Sequence, residues 1–143
     1  MLWRYSQRWL CISGELALAC GEAGSALCFA DECLPRSEGT ESRKYIVRAR
    51  RLRARALAAL DRREEADADL RIALELAREI GNPPQLWRTL TATAELREGD
   101  RRRLAAEVLD VIDGVAEGLG DHPLARSLAA SPDRSRAAAL AGL

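Results

Sequence analysis

The strongest constraint on how this chain folds is a helical apolar pattern that returns after 40 residues. Between Asp61 and Ile80, the side chains of Ala66, Leu70, Ala73, Ala77 and Ile80 recur at spacings of three and four, which puts them on one face of a helix. Asp61 followed by Glu64 reads as a capping box at its start, and Gly81-Asn82-Pro83-Pro84 reads as a left-handed stop beyond its end. A second apolar line through Ala49, Leu52, Ala56 and Leu60 predicts a helix over 41–60. With only Asp61-Arg62 as a turn, these two helices must run antiparallel. The same unit lies one period earlier, where Tyr5 matches Tyr45, Arg8 matches Arg48, Ile12 matches Leu52, Ala19 matches Ala59 and Ala26 matches Ala66. Ala30, Cys33 and Leu34 match Leu70, Ala73 and Leu74, and Gly21 stands where Asp61 stands.

A third, shortened pair is expected over 84–119, broken at Gly99-Asp100, followed by a capping helix over 121–130 with Asp121 as cap and Pro123 near its start. Ser131-Pro132 reads as the end of order, leaving 131–143 as a disordered tail. The organisation expected is therefore one domain over 1–130, with repeats at 3–37, 41–81 and 84–119.

Composition agrees with helices. Apolar residues are 48% of the 143, led by Ala and Leu, and aromatics only 4%, so side chains that lose little freedom in a helix dominate. The 22 basic and 22 acidic residues cancel, which leaves no net field to draw the chain to nucleic acid or to an anionic membrane. Arg4 and Arg8 precede an apolar run ending at Cys20, but Glu15 interrupts it and argues against an export signal. No uninterrupted apolar stretch reaches membrane-spanning length, and the expected setting is cytoplasmic.

The small residues Gly14, Ala26, Ala30 and Cys33 return as Ala54, Ala66, Leu70 and Ala73. Backbones about 8 to 9 Å apart leave no room for larger ones where helices cross. This pattern resembles the tetratricopeptide repeat, with a period near 40 in place of the standard 34. Four blocks carry a narrower likeness: Gly14-Glu15-Leu16-Ala17-Leu18-Ala19, Ala30-Asp31-Glu32-Cys33-Leu34, Ser42-Arg43-Lys44-Tyr45-Ile46-Val47 and Ile80-Gly81-Asn82-Pro83-Pro84-Gln85-Leu86-Trp87. Over residues 3–120 they look like the last repeats of large bacterial regulators, in which an ATPase, nucleotide-cyclase or DNA-binding part precedes a long repeat array. The resemblance implies an all-α fold, a right-handed stack of antiparallel helix pairs with three pairs and a short C-terminal capping helix. It also implies a protein-interaction or regulatory role, and that the chain is the end of a longer one.

In such a stack the first helices of successive repeats line a groove. Arg48, Arg51 and Arg55 fall on one stripe of the middle repeat, with Arg8 at the Arg48 position one repeat earlier. Guanidiniums there would grip a carboxylate-rich or C-terminal peptide by forked hydrogen bonds. The competing reading is a solvated face answered by Glu41, Glu64, Glu65 or Asp67. Trp9 and Trp87 stand at first-helix positions, either as peptide anchors or as packing between repeats. The exposed apolar residues expected at the N-terminus, Leu2, Trp3, Tyr5, Trp9 and Leu10, predict self-association, or packing on further repeats.

The remaining candidates point to no chemistry. His122 beside Asp121 looks like capping, and Glu107, Asp110 and Asp113 like a solvated face. Arg101-Arg102-Arg103 lacks the aromatics of a nucleic-acid surface. Cys11, Cys20, Cys28 and Cys33 lack zinc-ligand spacing. No phosphate loop or nucleophile elbow is present, and the expectation is a non-catalytic module with no cofactor or metal.

Overall fold

The computed structural model describes residues 2–143, and side chains throughout that range except at positions 3 and 4, so the expectations for Trp3 and Arg4 lie outside the described residues. The described residues are helical, and no strand occurs among them. The chain clusters into two compact units, Met1–Ile80 and Gly81–Leu143, where the sequence reading has a single domain over 1–130.

The first unit holds α1 (Leu2–Ala19), α2 (Ala23–Gly39), α3 (Arg43–Ala59) and α4 (Arg63–Ile80). α1 packs on α2, α2 on α3 and α3 on α4, and α1 also reaches α3. The turns keep the sequence period with unusual regularity. Left-handed backbone occurs at Gly21, Glu41, Asp61 and Gly81, one residue every twenty, with φ of 78°, 52°, 62° and 63°. Glu22 N–H donates to Ala17 O and Arg62 N–H to Leu57 O, both at 2.8 Å, while Ser42 N–H donates to Ser37 O at 2.9 Å. These are the six-to-one bonds of Schellman endings, which satisfy carbonyls that a helix leaves orphaned. Asp61 is thus the left-handed end of α3 and not the cap of α4, because the turn is too short for a separate capping residue.

Small residues fix the helix crossings. Ala17, Ala26, Ala30, Leu52 and Ala56 form one buried cluster, with Leu18, Leu27 and Phe29 packed against it. Leu10, Cys11, Cys33 and Ala49 form another. Gly14 lies where a Cβ would collide with Leu52 Cδ2 and come within 3.2 Å of Phe29 Cβ, so the α1 crossing has no room for a methyl group.

The second unit holds α5 (Pro83–Leu96), a 3₁₀ turn at Glu98–Asp100, α6 (Arg101–Leu119), α7 (Pro123–Ala129) and α8 (Pro132–Ala141). α6 packs on α5, α7 and α8. Asn82 caps α5, accepting from Gln85 N–H at 3.3 Å. His122, not Asp121, caps α7, its Nδ1 accepting from Leu124 N–H at 3.2 Å. The disordered tail expected over 131–143 is corrected by α8. Ser131 accepts from Arg134 N–H and Pro132 occupies the first turn, so the Ser-Pro pair that reads as a stop is a helix start. α8 then buries Ala137 and is tied down by Arg134, which donates to both carboxylate oxygens of Asp113 in α6 at 2.8 and 3.1 Å.

Candidate interaction surface

The six residues expected to meet a partner go to three different kinds of place. Arg51 is buried, 7% exposed. Arg48 is half-buried and donates through Nη2 to both carboxylate oxygens of Glu15 in α1, at 3.0 and 3.3 Å, with its guanidinium carbon 5.8 Å from the centre of the Tyr45 ring. Burial disfavours the Arg48 charge, but the Glu15 carboxylate outweighs that and holds the guanidinium above its ordinary pKa. Trp87 is 6% exposed, and its indole N–H donates to Asp133 Oδ2 at 2.9 Å, fastening α8 to α5. Arg8, Trp9 and Arg55 are exposed.

Two neighbouring arginines make further ion pairs within the first unit. Asp69 in α4 has a side chain only 5% exposed, and it accepts from Arg50 Nη1 at 2.9 Å and from Arg53 Nη1 at 2.6 Å. Arg50 also reaches Glu38 at 3.1 Å, and Arg53 reaches Asp31 at 2.7 Å, so α3 is tied to α4 through one buried carboxylate and to α2 through two exposed ones. The Asp31 bond, with Asp69 behind it, holds Arg53 above its ordinary pKa. Sequence spacing identifies a basic helix; it carries no sign of acceptors 19 or 33 residues away.

What remains open is one face of α1. Leu2, Tyr5, Trp9, Ile12 and Leu16 are between 47% and 87% exposed, and they repeat at spacings of three, four, three and four. The opposite face, with Gln7, Leu10, Cys11 and Ala17, is buried. Trp9 is held in place by Phe29 of α2, ring centroids 5.7 Å apart and rings at 86°, the edge-to-face arrangement favoured by aromatic quadrupoles. The expected exposure of Leu10 is corrected: it points into the core cluster with Cys11 and Ala49, because it falls on the small-residue side of the helix.

No helix among the described residues is long and apolar enough to cross a membrane. Nor do the described residues bring three or more His, Cys, Asp or Glu side chains together in a way that could hold a metal ion. No protein-family model, curated protein or solved structure matches the chain.

Proposed function

We propose that the chain is a non-catalytic protein-interaction module of the tetratricopeptide-like kind, whose contact surface is the open face of α1 and whose partner there is a second copy of itself. The observation that carries this reading is the exposed stripe Leu2, Tyr5, Trp9, Ile12 and Leu16. Its alternating three and four spacing is the a/d pattern by which two helices interlock. Scattered apolar residues on a surface need no explanation, but a continuous row along a helix of 18 residues does.

Area and charge favour a copy as the occupant. At these exposures the five side chains offer roughly 600–700 Å² per chain, so a paired interface buries at most about 1,200–1,400 Å², at the lower edge of specific complexes. Arg8 and Glu15 each stand one residue before a seam residue, Trp9 and Leu16. Antiparallel pairing sets these flanking positions against each other, so each Arg8 meets the partner's Glu15 and the contact is made twice. Glu15 already accepts from Arg48, yet a carboxylate offers about four lone-pair sites and can serve both. Arg48 is taken up as a tie within the first unit and Arg51 is buried, which moves the contact from a basic groove to an apolar seam flanked by Arg8.

Sedimentation equilibrium of the chain across micromolar concentrations tests this. The expected result is a dimer that Trp9→Glu weakens by about thirtyfold or more, the loss typical of a central aromatic anchor. Leu124→Glu, at an exposed site in α7, is expected to leave the dimer intact. A monomer at about 100 μM, or a dimer indifferent to Trp9→Glu, refutes the reading.

A further inference from the structure

Cys11 in α1 and Cys33 in α2 face each other in the core with Sγ atoms 3.5 Å apart, and neither residue is exposed. We propose that this pair is a reversible disulfide site, closed by a hydroperoxide, which locks α1 to α2. Packing alone does not require sulfur here. One repeat later the counterpart of Cys33 is Ala73, equally buried, and the counterpart of Cys11 is Arg51, so the pair belongs to the first repeat and not to the repeat pattern.

The geometry needs little adjustment. A disulfide has sulfurs about 2.05 Å apart, so they must approach by about 1.5 Å, a distance that side-chain rotation and a small helix shift can cover. The hydrogen bond between the two thiols lowers the Cys33 pKa from the ordinary thiol value; burial opposes this, while the Ser37 hydroxyl and the charges of Arg48 and Arg36 assist. Cys11 is held well above the usual thiol range by the same contact and by burial. The contact between the sulfurs is symmetric, so either can begin the exchange; the step is written with Cys33, which also lies 3.7 Å from the Ser37 hydroxyl oxygen, as the attacking sulfur.

The step balances with one hydroperoxide. The Cys33 thiolate attacks the terminal peroxide oxygen, the O–O bond breaks, and the leaving alkoxide, or hydroxide from hydrogen peroxide, takes up a proton. Cys33 is then a sulfenic acid. Cys11 sulfur attacks Cys33 sulfur, the S–O bond breaks, and the departing hydroxide leaves as water with the Cys11 proton. Two thiols lose two electrons and two protons, and the peroxide becomes an alcohol or water plus a second water. Because both sulfurs are buried, peroxide reaches Cys33 only when α1 lifts from α2. Oxidation is thus expected to be slower than at the exposed Cys20 and Cys28.

The test uses the full chain with Cys20→Ser and Cys28→Ser, which removes the exposed thiols without touching the core. After hydrogen peroxide treatment the chain is denatured, free thiols are alkylated, and it is cleaved with trypsin and a glutamate-specific protease. All four cysteines share one tryptic peptide, 9–36, but cleavage after Glu15, Glu22 and Glu32 separates them. The expected product is peptide 9–15 joined to peptide 33–36, two hydrogens lighter than the separate pair and released by a dithiol reductant. Closing a loop across 22 residues is expected to lower the unfolding equilibrium constant by roughly two orders of magnitude in a urea titration. Recovery of both cysteines alkylated after oxidation long enough for the helices to open, or Cys33 carried to sulfinic acid with Cys11 free, overturns the proposal.

Discussion

Asp69→Ala is the substitution that most directly tests how the first unit is held together. The carboxylate is 5% exposed and receives two charge-assisted bonds, from Arg50 at 2.9 Å and Arg53 at 2.6 Å. Removing one member of a buried ion pair costs about 3–5 kcal/mol, because the charges left behind are desolvated and unmatched. Here the loss sits at the low end, about 3 kcal/mol, since Arg50 keeps Glu38 and Arg53 keeps Asp31 on the surface. Arg50 Nε is already buried without a partner, so the site has no spare acceptor to redirect to that guanidinium. With a urea dependence of about 1–1.5 kcal/mol per molar, the unfolding midpoint falls by roughly 2–3 M. The assay is urea unfolding followed by circular dichroism. A companion variant, Arg50→Met/Arg53→Met/Asp69→Leu, discharges the whole cluster and is expected to recover at least half of the loss, because burying the charges was itself costly. A cost below about 1 kcal/mol for Asp69→Ala would refute the reasoning, since that is the scale of an exposed pair.

Two further substitutions probe the helix crossings and turns. Gly14→Ala sets a helix-propensity gain of about 1 kcal/mol against an overpacking cost of about 1–3 kcal/mol. Because the new methyl meets Leu52 Cδ2 and Phe29 Cβ, overpacking wins and the urea midpoint falls; a rise would show that the crossing can open. Glu41→Gly is expected to stabilise by roughly 0.5–1 kcal/mol, because Glu41 holds a φ of 52° at which only glycine is unstrained. The same titration checks it, and a lower midpoint would mean that the Glu41 side chain contributes more than its backbone strain costs.

The helix phase was legible because it depends on near neighbours. Ala66, Leu70, Ala73 and Ala77 are all buried in α4, on the face their spacing predicts. Side-chain partners were not legible, for a physical reason. A run such as Arg48, Arg51 and Arg55 has the same spacing whether it faces water or a carboxylate, and the deciding acceptor, Glu15, lies on another helix. Trp87 poses the same difficulty, since its partner Asp133 is 46 residues away in a segment that reads as structureless. α1 was ambiguous in another way, having two apolar faces. Periodicity finds both; only close packing separates them, because the side with Cys11, Gly14 and Ala17 lets another backbone approach and the side with Trp9 and Leu16 does not.

That difference in side-chain size also bears on what covers the open face. Forty residues on, the counterparts of Trp9, Ile12 and Leu16 are Ala49, Leu52 and Ala56, all buried in the clusters that α3 shares with α1 and α2. Arg8 likewise corresponds to Arg48, which takes its carboxylate from α1. Were the α1 face shaped to receive another helix pair as closely as α3 does, alanines would be needed at positions 9 and 16. Tryptophan and leucine there hold an opposing helix farther off, toward the 10 Å end of the usual range, where side chains interlock and backbones do not touch. A seam of large residues flanked by Arg8 and Glu15 suits helix-to-helix pairing between copies better than the close stacking found inside the first unit.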